Sequence, residues 1–136
     1  MRFSMSLTPL LVVEDVPGAS RWLQRVFGLQ SFHGGPQFDM LGDAAGKIVI
    51  WLRVLNPASE AARPEPDLIG AGRGVTFYIQ VDDLEAAQAR AGEAGGTILE
   101  EVHHSSVARH REFTIEGPHG YAFAAHTAYE GDSTAG

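Results

Sequence analysis

A chain of 136 residues, 44% of them hydrophobic, has the size and apolar content of one ordinary domain with its own core. Its formal charge of −7 argues against nucleic acid or an anionic membrane as partner and suits a neutral or cationic ligand. The absence of cysteine excludes disulfides, thiol catalysis and cysteine zinc sites.

No long apolar run follows Met1-Arg2-Phe3-Ser4, so neither a signal peptide nor a transmembrane stretch is expected, and the expected compartment is the cytoplasm. From Leu7 the chain reads LTPLLVVEDVPGASRWLQRVFG, a strand, then Asp15, then a helical stripe of Val16, Ala19, Leu23 and Val26 ending at Gly28. Aspartate suits a helix N-cap, and glycine tolerates the left-handed C-cap. The segment LGDAAGKIVIWL, from Leu41, reads as a hairpin turn followed by a strand. A Pro-, Ala- and Gly-rich linker is expected over 56–74.

The pattern then repeats. Residues Val75 to Gly96 read VTFYIQVDDLEAAQARAGEAGG, and at an offset of 68 Thr8 meets Thr76, Asp15 meets Asp83 and Gly28 meets Gly96. Val75, Phe77, Ile79 and Val81 alternate with Thr76, Tyr78 and Gln80, the period of a strand with one apolar face. Leu84, Ala87, Ala91 and Ala94 repeat the helical stripe. IEGPHGYAFAAH, from Ile115, lies over LGDAAGKIVIWL at an offset of 74, set by Gly46 and Gly120.

These elements predict an α+β fold of two tandem βαβββ modules, 6–55 and 75–128, within a single domain, with a tail at 129–136 expected to be disordered. One such unit is too small to bury a core alone. Two are expected to join as one curved mixed sheet, helices outside and a concave cup within.

LVVEDVPGASRWLQRVFGL and YIQVDDLEAAQARAGEAGG resemble the two halves of the glyoxalase/bleomycin-resistance/dioxygenase superfamily, also called vicinal oxygen chelate proteins. REFTIEGPHGYAFAAH resembles its closing hairpin, with Gly117 and His119 where that family commonly has aspartates. The resemblance implies four metal-ligand slots in metal-using members. Carried over, they fall on Thr8, Ile50, Thr76 and Ala124, none of which offers the imidazole or carboxylate such an ion needs. No metal and no cofactor is therefore expected. The resemblance also implies a homodimer.

Strand phase places Thr76, Tyr78, Gln80, Thr114, Ala124 and His126 on the cup face of the second module, and Thr8, Leu10, Val12, Ile48, Ile50 and Leu52 on that of the first. The expected ligand-binding set is Thr8, Leu10, Ile50, Thr76, Tyr78, Gln80, Thr114 and His126, in a cavity whose first-module half is largely apolar and whose other half carries polar groups, as small-molecule sites commonly do. His126 and Glu112 are the candidates for acid–base chemistry, because imidazole titrates near neutral pH. His103, His104 and His110 are expected in a polar loop over the cup mouth, Trp22 and Trp51 in packing, and Arg109 in a solvated loop. Three readings stay open: a metal-free binding protein; a lyase, isomerase or dioxygenase-type enzyme with a relocated metal or metal-free catalysis; and a dimerising scaffold.

Overall fold

The computed structural model describes residues 4–55, 68 and 70–130. The chain divides into two compact units, Met1–Gln24 with Gly28–Pro66, and Arg25–Phe27 with Asp67–Gly136.

In the first module, β1 (Leu10–Val13) runs into α1 (Val16–Phe27), followed by β2 (Gln30–Ser31), β3 (Phe38–Gly42) and β4 (Ile48–Val54). Asp15 starts α1 by accepting the Gly18 N–H at 3.0 Å, and Gly28 ends it at φ 71°, where a side chain would be strained. Val16, Ala19, Leu23 and Val26 are all buried, as their spacing predicts. Burying a side chain such as Leu23 stabilises the fold by about 1.5–3 kcal/mol.

The second unit repeats this plan: β5 (Thr76–Gln80), α2 (Leu84–Glu93), β6 (Thr97–Ser105), β7 (His110–Glu116) and β8 (Ala122–His126), with one 3-10 turn at Pro118–Gly120. Asp83 caps α2 through the Ala86 N–H, and Leu84, Ala87 and Ala91 are buried. The sheet orders are β1-β4-β3-β2 and β5-β8-β7-β6, so the duplication read from the sequence is a duplication of topology. In each sheet one parallel pair, β1 with β4 and β5 with β8, joins antiparallel neighbours. Among the described residues, no helix is long and apolar enough to cross a membrane.

Three expectations change. The first concerns the faces of β4. Leu11 and Val13, which are buried, pair with Leu52 and Val54, whereas Leu10 pairs with Trp51 and Val12 with Arg53. Asp39, opposite Leu52, receives a hydrogen bond from Ser20 Oγ of α1 at 2.7 Å. Leu52 and Ile50 therefore face α1, and Trp51 and Arg53 face away from it with Leu10, Val12, Phe38 and Met40. Aligning Gly46 with Gly120 misplaced β4 by one residue, which exchanges the two faces of a strand.

The second change concerns the histidines. His103 and His104 lie within β6, and His110 opens β7, so the expected loop is a β-hairpin. Its short turn includes Arg109 at φ 58°. On the edge strand β6, the Val102 N–H is capped by Gln88 Oε1 of α2 at 2.7 Å, which blunts an exposed sheet edge.

The third concerns the boundaries. Residues 56–67 and 69 of the expected linker, and 131–136 of the tail, lie outside the described residues. The linker's last residues belong to the second module: the Gly72 N–H donates to His119 O at 3.1 Å, and a Cβ on Gly72 would overlap the Tyr121 backbone. Glu130, placed in the tail, is held by its N–H to Arg109 O at 2.8 Å.

Candidate functional site

The second sheet shows its chemistry on the face away from α2. Phe113, Ile115, Phe123 and Ala125 fill the helix side and are buried. The alternation of β7 then sends His110, Glu112 and Thr114 to the opposite side. Cross-strand pairing aligns them in rows. Gln80, His126, Glu112 and His103 form one row, and Tyr78, Ala124, Thr114 and Glu100 the next.

Within these rows lies a cluster of aromatic and ionisable groups. His110 Nε2 is 3.1 Å from Glu112 Oε1, with both residues buried. The His110 and His126 rings stack at 4.6 Å between centroids and 21° between planes. Tyr78, 58% exposed, sits over them at 6.3 Å from His110 and 5.9 Å from His126. His126 Nδ1 lies 2.7 Å from Thr127 O. A carbonyl only accepts, so Nδ1 carries the proton of this bond, and Nε2 is the acceptor nitrogen of the neutral ring.

Arg111 points the other way and pairs with Glu85 on α2. Its hydrogen bond holds the Glu85 carboxyl below its ordinary pKa, a solvent-exposed effect. On the strand positions of the α2-free face there is no lysine or arginine: the charged groups there are Glu100, Glu112 and Glu116, with His103 3.2 Å from Glu100.

The first sheet differs in character. Away from α1, Trp51 meets Phe38 edge-on at 5.8 Å, and Phe38 meets His33 at 5.1 Å. Trp51 remains 39% exposed. Arg53, on the same face, is buried and donates from Nη1 to Val54 O at 3.1 Å.

On the α1 side, the buried Asp39 gathers four donors: Ser20 Oγ, Ser31 Oγ and the N–H groups of Gly34 and Met40, at 2.7–2.9 Å. Burial opposes its ionisation, but these hydrogen bonds outweigh it and hold the carboxyl below its ordinary pKa.

Of the sequence-derived site residues, Thr76, Tyr78, Gln80, Thr114 and His126 do share one face, with Glu112 among them. Thr8 precedes β1, and Leu10 shares the face of Trp51. Ile50 is removed from that face, being 4% exposed and directed at α1. Glu112 bonds to His110 rather than to His126. Sequence reasoning overlooked His110 and Trp51 as site residues. Extending the alternation of REFTIE back by one residue puts His110 in phase with Glu112, whereas Trp51 emerges only from the strand register.

The metal slots offer no suitable donors. Thr8, Thr76 and Ala124 have no imidazole or carboxylate, and Trp51, which occupies the place given to Ile50, has only an N–H donor. Among the described residues, no group of three or more His, Cys, Asp or Glu side chains is placed to hold a metal ion.

A family model described as Glyoxalase/Bleomycin resistance protein/Dioxygenase superfamily matches residues 6–125. No curated protein matches. Among solved structures, an integron cassette protein from the mobile metagenome of V. cholerae is 21% identical, with 94% of this chain and 98% of that one covered and a TM-score of 0.68. A glyoxalase-related enzyme from Fulvimarina pelagi is 12% identical over 91% and 88% of the two chains, with a TM-score of 0.74. A glyoxalase/bleomycin resistance protein/dioxygenase from Nocardioides is 18% identical over 96% and 88%, with a TM-score of 0.65. At these identities the likeness shows the fold.

Proposed function

Because the chain belongs to the Glyoxalase/Bleomycin resistance protein/Dioxygenase superfamily, we propose that it binds a small organic molecule against the sheet faces turned away from its helices, without the metal of metal-using members, as a homodimer. The observation that carries this reading is the cluster beside Tyr78. Buried polar groups are expensive unless paired, and here His110 and Glu112 are paired next to an exposed aromatic ring, on a face that α2 leaves uncovered. Polar groups of this kind fix orientation, and apolar surface supplies affinity at about 25 cal/mol per Å² buried. In the second sheet the polar groups are Tyr78, Gln80, Thr114 and His126, and the first sheet has an apolar face of its own in Leu10, Val12 and Trp51.

Substitution of the polar half tests it. With a ligand found by screening, Tyr78→Phe and Gln80→Leu should each weaken binding, while Arg109→Ala, whose guanidinium lies over the Tyr129 ring, should matter less. Calorimetry giving the reverse order contradicts this assignment. Elemental analysis finding one divalent ion per chain bound at the Thr8, Trp51, Thr76 and Ala124 positions contradicts the metal-free reading.

A second reading has its own support. A buried imidazole–carboxylate pair is the arrangement of a general acid–base group, with the carboxylate orienting the ring. On this reading the protein is a metal-free lyase or isomerase, and His110→Gln abolishes turnover while leaving ligand affinity in place.

A further inference from the structure

Resting on the ligand-binding reading above, we propose that His126 Nε2 is the specificity-determining acceptor of the second sheet, and that the site takes a planar aromatic molecule carrying an N–H donor. Three observations converge on it. His126 Nδ1–H donates to the Thr127 carbonyl, so the neutral His126 ring presents an acceptor at Nε2. The His110 ring is stacked on one face of His126, and its Nε2 is engaged with Glu112, so His110 braces the His126 ring. Tyr78 adds an exposed third ring to the same wall, a surface that suits a flat partner.

The charges on this face decide the polarity of the ligand. Glu100, Glu112 and Glu116 are acceptors when ionised, and no lysine or arginine shares their strand positions. An anionic ligand would meet repulsion there. A ring N–H would meet the acceptor that Thr127 orients.

The test uses two probes of nearly one shape, indole, which has an N–H donor, and benzofuran, which has an oxygen in its place. Dissociation constants are measured by NMR titration of the whole protein, following the Tyr78 and His126 ring signals. Indole should bind several-fold to about tenfold more tightly, the effect of one net hydrogen bond. His126→Phe should remove that preference. His126→Gln, which keeps an acceptor, should retain part of it. Tyr78→Ala should weaken both probes.

Equal binding of the two probes, or a preference that survives His126→Phe, overturns the donor inference and leaves the ligand-binding reading standing. If neither probe perturbs the Tyr78 and His126 signals, both fall. Long-range proton–nitrogen NMR spectra give an independent check: a neutral His126 protonated at Nε2 instead of Nδ1 contradicts the proposal without any ligand.

Discussion

His110 Nε2 lies 3.1 Å from Glu112 Oε1, with the two side chains only 8% and 10% exposed. They are two residues apart on β7, so one strand face carries both partners. The pair stabilises through satisfaction rather than attraction: either partner alone would be a buried polar group without its bond. Glu112→Ala should therefore cost about 1–3 kcal/mol of stability. His110→Ala added to it should cost less than the sum of the single changes. Denaturant unfolding of the four proteins measures the coupling, and simple additivity would mean that the contact contributes nothing.

Asp39 predicts a pH effect with a definite sign. Its carboxyl is held below the ordinary value of 3.8 in the folded chain. The stability it contributes is thus fully present above about pH 3.8 and is lost as pH falls through the lower, folded pKa. Asp39→Asn keeps the shape but replaces one acceptor oxygen by an NH2 group facing N–H and O–H donors. It should destabilise by about 2–4 kcal/mol at neutral pH and flatten the acid limb of the stability profile. An unchanged acid limb would show that other carboxylates govern it.

The corrected phase of β4 is testable through two neighbours in sequence. Ile50→Ala should cost about 2–5 kcal/mol, as for a filled core position. Trp51→Ala, at a 39% exposed residue, should cost less in stability but should reduce binding of a ligand that uses the first sheet. Thermal unfolding compared with titration separates the two effects. The opposite ranking would restore the phase read from the sequence.

The contrast between β5 and β4 shows what the sequence made legible. In VTFYIQV polar and apolar residues alternate, so Thr76, Tyr78 and Gln80 are legible as one face, and they share the side of the sheet away from α2. In IVIWLRV nearly every residue is apolar, so period alone cannot choose a face, and the register with β1 does so instead. The helices were legible because Asp15, Asp83 and the stripes behind them are local signals. The hairpin bearing His103, His104 and His110 was not, because an edge strand exposed on much of its surface has the composition of a loop. The His110–Glu112 contact depends on side-chain reach along one strand, which spacing permits and does not specify.

Assembly gives a separate prediction. Closed symmetric pairs are the commonest oligomers, and the protein should sediment as a homodimer at micromolar concentration. A monomer alone under those conditions would remove the dimer from the proposal and leave the site of the second sheet intact, since its residues all come from one unit.

Backbone and aromatic NMR spectra recorded during a fragment screen test the central claim most directly. The account predicts that binders shift the signals of Tyr78, Gln80, Thr114 and His126, and that Tyr78→Phe or Gln80→Leu weakens them. A screen whose binders instead perturb Leu84, Ala87 and Ala91 on the helix side, or one that yields no binder at that face, would contradict the assignment of the α2-free face as a ligand site.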